Sequence, residues 1–295
     1  MKALSKRTKT DSIVGYLIIA LMIVICIATL YPVWYIIIIS FNDGQDAMMG
    51  GIYLLPRMFS LDNYRMVFAN PEILQAFIIT ILRTLIGTVT GVFFTAMVAY
   101  AFSKRYIFGS KFYLTVGTIT MFFGGGLIPY FIVLRNLGLF NNFMVYIIPA
   151  LFNFFHCIIF MTFFREMPSS LEESAKIDGA NDFFIFVRII LPMSAPVLAT
   201  IALFVGVFHW NDFFMGVIFI HDPELRPIQT FMYQLIAGTT AQRAVVGMPA
   251  VASQGVTSLS VQLATMVVTT APIVFVYPFL QRYFVKGIMI GAIKG

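Results

Sequence analysis

The chain has 295 residues, of which 60% are hydrophobic and only 11% are charged. Soluble domains carry roughly 25% charged residues, so this composition excludes an ordinary water-soluble protein and indicates a lipid bilayer as the solvent. In lipid, only helices and closed barrels satisfy all their backbone polar groups, and the long unbroken apolar runs of this sequence favour helices. We therefore expect an all-α polytopic membrane protein.

Six apolar runs are long enough to cross the hydrocarbon core, which takes about 20 residues per helix. We interpret them as one membrane domain, residues 13–280, between an N-terminal segment 1–12 and a C-terminal tail 281–295. The first run is too long for a secretory signal and lacks a small-residue cleavage site, so it is expected to be retained. The predicted spans cover residues 13–40, 73–102, 112–134, 144–164, 193–220 and 256–280.

Lys and Arg are distributed unequally between the two sides of these spans. Thirteen of the 19 lie in the terminal segments and in the second and fourth connections, whereas five lie in the other three connections. Because positive residues accumulate on the cytoplasmic side, both termini are expected to be cytoplasmic. This asymmetry also accounts for the net charge of +6 without a nucleic-acid partner.

The cytoplasmic connection at 165–192 is long and patterned. Pro168 and the serines after it form a helix start signal, and Ser170 with Glu173 matches a capping box. A short helix is therefore predicted from about Leu171. It is expected to end at Gly179, because glycine adopts the left-handed conformation of a helix C-terminus.

A second amphipathic helix is predicted from about Asn181 until Leu191-Pro192 returns the chain to the membrane, with three residues on its apolar side, Phe183, Phe184 and Val187.

The whole connection contains Glu173-Ser174-Ala175, then Gly179, and after nine further residues Ile189-Ile190-Leu191-Pro192. These residues and their spacing resemble the EAA loop of ABC importer permeases. Ser174 stands where that family usually has Ala. Other stretches are similar to the carbohydrate-uptake branch, close to the maltose-type second permease: 99–104, Trp210-Asn211, 281–287 and Lys294-Gly295. The stretch 124–129 is similar to members that import oligosaccharides from plant or algal polysaccharides.

The resemblance implies a type I ABC importer permease fold, in a multi-pass protein of the bacterial cytoplasmic membrane. It implies four kinds of partner besides membrane lipid: a second permease subunit, two ATPase subunits, an extracytoplasmic solute-binding protein, and an oligosaccharide substrate. Oligosaccharides that contain uronate are among the expected substrates. No Walker sequence occurs in the chain, so ATP and Mg²⁺ are expected on the ATPase. We expect no enzymatic activity, cofactor or metal site in the chain itself.

In this family the first short helix of the loop is the coupling helix, which lies in a cleft of the ATPase. The resemblance implies that Glu172 and Glu173 reach toward the ATPase and that Gly179 permits the bend. Glu173 has an alternative role, since it could serve only as the cap of its own helix. The full set of predicted coupling residues is Leu171, Glu172, Glu173, Ser174, Ala175, Asp178, Gly179 and Ala180.

Arg83 lies well inside the second predicted span, where a charge costs roughly 2.5–3.5 kcal/mol on insertion scales. It should therefore face protein or water, and two interpretations remain open. Arg83 could form a salt bridge with Asp212. Alternatively, Arg83, Trp210, Asn211 and Asp212 could line the translocation path, with the guanidinium binding sugar hydroxyls or a uronate carboxylate. Trp210 would then stack on a sugar ring, although a Trp near a membrane interface is often an anchor.

His156 and His209 lack further ligands at metal-binding spacing, so packing roles are expected for both. The same holds for Cys26 and Cys157, which fall inside spans. The glycines at 124–126 predict close helix packing or a bend.

An alternative function is a secondary transporter or channel that needs no ATPase. Such a protein would be expected to show half-repeats or an intramembrane carboxylate relay, and Asp212 is the only carboxylate well inside a predicted span.

Overall fold

A computed structural model describes residues 9–104, 106–245, 257 and 259–275. Regular structure in these ranges is helical, so the all-α fold class is confirmed. The α-helices are α1 (Lys9–Ser40), α2 (Gly44–Met48), α3 (Asp62–Ala69), α4 (Pro71–Ser103), α5 (Ser110–Phe122), α6 (Leu127–Asn136), α7 (Phe154–Arg165), α8 (Ser169–Ile177), α9 (Asp182–Ile185), α10 (Leu191–Met193), α11 (Ala195–Asn211), α12 (Phe214–Phe219), α13 (Ile228–Val245) and α14 (Leu259–Phe275). Short 3₁₀ turns occupy Phe143–Tyr146, Ile148–Ala150 and Pro223–Leu225.

Among the described residues, α1 and α4 are each long and apolar enough to cross a membrane. The number rises to five if three bent helix pairs each form one span. The pairs are α5 with α6, bent by 117°, Phe143–Ala150 with α7, bent by 46°, and Asp182–Met193 with α11, bent by 85°. The six spans and the cytoplasmic side of both termini stay predictions, and residues 276–280 of the sixth lie outside the described residues.

The third predicted span is interrupted between Phe122 and Leu127. Gly126 has φ +82° there, a conformation that residues with a Cβ rarely adopt. The bend predicted for the glycines at 124–126 is therefore confirmed. The fifth predicted span also differs from one continuous helix, because α11 ends at Asn211 and α12 begins at Phe214.

The chain divides into two compact units, one containing α1 to α3 and the other α4 to α12. In the second unit, α4, α7 and α11 surround a common core whose fully buried members include Ala96, Phe160 and Ile201. Small residues allow these helices to approach each other, as in many membrane bundles. A Cβ added at Gly91 would lie 3.3 Å from the Ala150 carbonyl oxygen.

The two cysteines differ in burial. Cys157 lies fully buried in this core, which confirms its predicted packing role. Cys26 is exposed on α1, so the described residues do not form the packing predicted for it.

In the first unit, hydrogen bonds organise the loop between α1 and α3. The Arg57 guanidinium lies 2.7 Å from the Asp46 carboxylate, and the Asn42 side chain donates to the same carboxylate at 2.9 Å. These contacts lower the pKa of Asp46, because both favour its charged form. The loop ends at α3, where the Ser60 hydroxyl accepts a hydrogen bond from the Asp62 N–H.

Candidate functional site

The first helix of the coupling segment begins two residues earlier than the sequence predicted. Its N-cap is Pro168, whose extended backbone (φ −61°, ψ 123°) leads directly into α8. Ser170 is already helical, so it cannot serve as the N-cap residue and the predicted capping box with Glu173 does not form. The Glu173 side chain is exposed, and it is not used to cap its own helix.

The predicted bend at Gly179 is confirmed, and its hydrogen bonds identify a Schellman motif. The Gly179 N–H donates to the Lys176 carbonyl at 3.0 Å, and the Ala180 N–H donates to the Ala175 carbonyl at 2.9 Å. Gly179 has φ +83°, which a residue with a Cβ rarely adopts. A glycine is therefore required to end α8 in this way.

After the bend, the Asn181 side chain accepts a hydrogen bond from the Phe184 N–H at 2.8 Å and starts α9 as predicted. The helix then widens to a π-helical turn at Phe186–Ile190, which places an extra residue in the turn and rotates the following side chains. The predicted apolar face is wrong for Phe183 and Phe184, which are exposed and precede this turn, whereas Val187 packs against the core of the second unit as predicted. The buried residues are Ile185, Phe186 and Ile190.

The return to the fifth predicted span also differs from the prediction. Pro192 lies within α10, and the 85° bend follows at Ser194. The Ser194 hydroxyl donates to the Ile190 carbonyl at 2.6 Å and thus stabilises the last turn before α11.

The predicted coupling residues divide between two faces of the segment. Ala175 and Ala180 pack against the core of the second unit, and Leu171 is half-buried. Glu173, Ser174 and Asp178 are exposed. Ile177 is 86% exposed, and the sequence analysis missed it although it is an apolar side chain on an otherwise polar face.

Two ion pairs involve residues of α8. Lys104, which follows α4, pairs with Glu172, and Lys176 lies 2.9 Å from the Asp182 carboxylate. The second pair raises the pKa of Lys176 and lowers the pKa of Asp182, because a hydrogen bond between opposite charges favours both ionised forms. The sequence analysis placed Glu172 toward the ATPase and did not connect it with Lys104.

Arg83 is fully buried and pairs with Asp212. Its Nη1 lies 3.3 Å from the Asp212 carboxylate, its Nη2 donates to the Asp212 backbone carbonyl, and its guanidinium lies 5.0 Å from the centre of the Tyr146 ring. Asp212 also accepts hydrogen bonds from the N–H groups of Phe214 and Met215, which start α12. Of the two interpretations left open by the sequence, the salt bridge is the one formed in this structure.

A cavity of about 370 Å³ lies beside this pair in the second unit. Its aromatic wall contains Tyr130, Phe152, Phe204 and Phe208, and its polar lining includes Asn153, His156, His209 and Asp212. Arg83, Trp210 and Asn211 are not lining residues, so Asp212 alone of the four predicted path residues faces the cavity. Asn211 instead donates to the Val207 carbonyl at 3.0 Å.

The two cavity histidines pack against their neighbours, in line with the roles predicted for them. The His156 ring stacks on Phe204 with 6.1 Å between ring centres. The His209 ring lies against Gly87 of α4, so close that a Cβ at Gly87 would lie 2.3 Å from its Nε2. His156 Nδ1 and His209 Nε2 have no hydrogen-bond partner within the part of the chain that the structure describes. The cavity therefore combines aromatic faces with a polar lining.

Comparisons with known proteins place this architecture in a family. The chain is 35% identical, over 95% of its length, to the polygalacturonan/rhamnogalacturonan transport system permease protein YtcP of Bacillus subtilis (strain 168), and it covers 97% of that protein. The chain belongs to the carbohydrate permeases of ABC importers. This permease is also 39% identical to Protein LplC of the same organism, over 90% of each chain. No protein-family model matches the chain.

A solved structure supports the same assignment. The permease matches, with a TM-score of 0.87 and 29% identity, a chain of a bacterial ABC transporter involved in the import of the acidic polysaccharide alginate. The match covers 95% of this chain and 99% of that chain. The relatives are transport permeases rather than enzymes.

Proposed function

We propose that this permease is one of two related membrane subunits of an ATP-driven importer that moves acidic oligosaccharides across the bacterial cytoplasmic membrane. The proposal rests chiefly on the likeness to the alginate transporter chain over nearly the whole length. In this proposal the chain crosses the membrane six times with both termini in the cytoplasm. Polygalacturonan and alginate, named for two similar proteins, both consist of uronic acids, so uronate-containing oligosaccharides are the expected cargo.

The partners in this proposal are a sister permease, two ATPase subunits that hold ATP and Mg²⁺, and a solute-binding protein on the outer side. A second solved structure with the same fold is that of a bacterial alginate ABC transporter in complex with a periplasmic protein bound to an alginate pentasaccharide. The exposed residues of α8, Glu173 and Ile177 among them, form the surface proposed to contact the ATPase. Glu173 supports this role because it does not cap its own helix.

The proposed function predicts that uptake depends on every component of the importer. In proteoliposomes containing both permeases, the ATPase and the binding protein, labelled trigalacturonate should accumulate only with ATP, and faster than labelled maltotriose. Omitting the ATPase or the binding protein should abolish accumulation. Ion-gradient-driven uptake by this chain alone would instead support the alternative of a secondary transporter.

We further propose that the cavity beside Asp212 is part of the sugar path. Pyranose rings present apolar faces that stack on aromatic side chains, while their hydroxyl groups hydrogen-bond to polar atoms. The aromatic wall and the polar lining of this cavity provide both kinds of contact. Among the described residues, no Lys or Arg side chain lines the cavity. Recognition of the sugar hydroxyls is therefore the proposed basis of contact here.

Replacing Phe204 or His156 with Ala should slow trigalacturonate uptake about five- to tenfold, because each change removes a contact worth about 1–1.5 kcal/mol. The amount of assembled complex and its ATP hydrolysis should stay at wild-type levels. A matched control is Phe108→Ala, since Phe108 is 98% exposed and lies away from the cavity lining. Wild-type uptake rates in both cavity variants would contradict this assignment of the path.

A further inference from the structure

Lys104 connects the end of α4 with the coupling helix α8. Its ammonium group pairs with Glu172 and lies 4.0 Å from the centre of the Tyr100 ring on α4. The Lys104 and Glu172 side chains are only 12% and 20% exposed, so this pair is largely removed from water. A partly buried ion pair that is also held by an aromatic face is weakened less by salt than a surface pair.

Tyr100 extends this contact to the rest of the coupling segment. Its ring stacks on Phe186 in the π-helical turn, with 5.3 Å between ring centres, and meets Phe164 of α7 edge to face at 6.2 Å. We call Tyr100, Lys104 and Glu172 the Lys104 cluster. Its members therefore contact α4, α7, α8 and the segment that returns toward α11.

Further contacts hold the same two regions together. The Arg165 guanidinium, at the end of α7, donates to the Phe102 carbonyl of α4 at 3.2 Å. The Tyr106 hydroxyl donates to the Asp182 carboxylate at 3.4 Å. Asp182 in turn pairs with Lys176 of α8. The inward face of the coupling segment is thus occupied by contacts within the chain, while Glu173 and Ile177 remain exposed on the outward face.

The other end of this connection reaches the cavity. Arg83 and the cavity residues Gly91 and Thr95 all belong to α4. Arg83 precedes Lys104 by 21 positions, which corresponds to about 30 Å along a helix that rises 1.5 Å per residue. A displacement of α8 that is carried into α4 would therefore reach the residues beside the cavity.

We infer that Lys104 is a positioning residue, which makes α4 move together with α8 when the ATPase closes. This inference rests on the proposed function, since it requires an ATPase that contacts α8. It assigns Glu172 to the connection within the chain and leaves Glu173 for the ATPase. In the competing explanation, the ion pair only stabilises α8 locally, and the movement of α4 does not depend on the ion pair.

The test compares Lys104→Gln, Glu172→Gln and the exchanged pair Lys104→Glu/Glu172→Lys in the complete importer, reconstituted in proteoliposomes. Lys111→Gln is the matched control, because Lys111 is an exposed lysine on α5 close in sequence to Lys104. Two quantities are measured: trigalacturonate imported per ATP hydrolysed, and a spin-label distance between α4 and α8. The labels are placed on Val89→Cys and Ser170→Cys, both exposed positions, with Cys26→Ser and Cys157→Ala in the background.

In the wild-type protein, the distance between the labels should be the same without nucleotide and after trapping with ATP and vanadate. Each single variant should make the two distances differ and should lower import per ATP roughly 5- to 150-fold, the usual range for a lost coupling between sites. The exchanged pair regains the opposite charges but not the Lys104 contact with the Tyr100 ring, so it should restore both quantities at least in part, which a loss of folding would not allow. The control should behave like the wild type.

Two results would overturn the inference. One is wild-type distances and wild-type import per ATP in both single variants. The other is a loss in the single variants that the exchanged pair does not repair, since the ion pair would then not be the cause. If no ATPase assembles with the wild-type permease at all, the proposed function fails and the inference fails with it. If the ATPase assembles and hydrolyses ATP but no trigalacturonate enters, only the substrate class fails, and the label distances still decide the role of Lys104.

Discussion

Replacing Asp212 with Ala should lower the free energy of unfolding by about 3–5 kcal/mol, because it leaves the buried Arg83 guanidinium without a charged partner. Arg83 is fully buried, and its ion pair is with Asp212. Asp212→Asn should lower the free energy of unfolding by less, because the Asn amide oxygen can still accept hydrogen bonds from the N–H groups at the start of α12. Thermal unfolding of the detergent-purified protein measures these differences.

The double variant Arg83→Met/Asp212→Ala separates the lost charge pair from lost packing. Replacing a whole buried pair by apolar groups is often nearly neutral, so this variant should be more stable than Asp212→Ala alone. Asp62→Ala is the control, because Asp62 pairs with Arg65 on the surface, where an ion pair contributes roughly 0.2–1 kcal/mol. An Asp212→Ala protein that unfolds at the wild-type temperature would contradict this account.

Replacing Gly87 with Ala should destabilise the second unit by about 1–3 kcal/mol through overpacking. The added Cβ would lie 2.3 Å from His209 Nε2, so the buried His209 ring would have to shift away from α4. The measurement is again thermal unfolding, combined with trigalacturonate uptake, since His209 also lines the cavity.

Two further variants make the Gly87 prediction specific. Gly87→Ala/His209→Ala should be more stable than Gly87→Ala, because removing the ring makes space for the methyl group. Gly15→Ala is the control: Gly15 lies in α1 with nothing within 4 Å of an added Cβ, so Ala should be neutral or stabilise by up to about 1 kcal/mol. Equal losses at Gly87 and Gly15 would show that helix packing is not the cause.

The coupling segment was predictable largely because its signals are local. Gly179 and Asn181 act through their own backbone and side-chain hydrogen bonds, and both have the predicted roles. The predicted capping box does not form because α8 begins directly after Pro168, and Ser170 therefore lies inside the helix. Of the apolar face predicted after Asn181, only Val187 packs against the core, because the run Phe183-Phe184 does not show from the sequence alone which side of a short helix contacts its neighbours.

The cavity was much less predictable, since several distant parts of the chain build it. Phe152, Phe204 and Phe208 look like ordinary core residues in a sequence rich in Phe, and only the folded chain brings them together. Arg83 was recognised because a charge in an apolar run is conspicuous. Its pairing with Asp212 could be considered from the sequence, but only the structure shows that the pair forms. Similarly, a Lys104 contact with Glu172 had no local pattern to predict it.

The Arg83 pair also has a consequence for biosynthesis. Asp212 follows Arg83 by 129 residues, which takes a ribosome about 6–26 s at roughly 5–20 residues per second. During that interval the nascent α4 carries a cation whose permanent partner does not yet exist, at a cost in lipid of roughly 2.5–3.5 kcal/mol. The helix must therefore be held by the insertion machinery, by lipid headgroups or by water until the fifth predicted span emerges. Changes at Asp212 would act first on the yield of inserted protein, before any transport takes place.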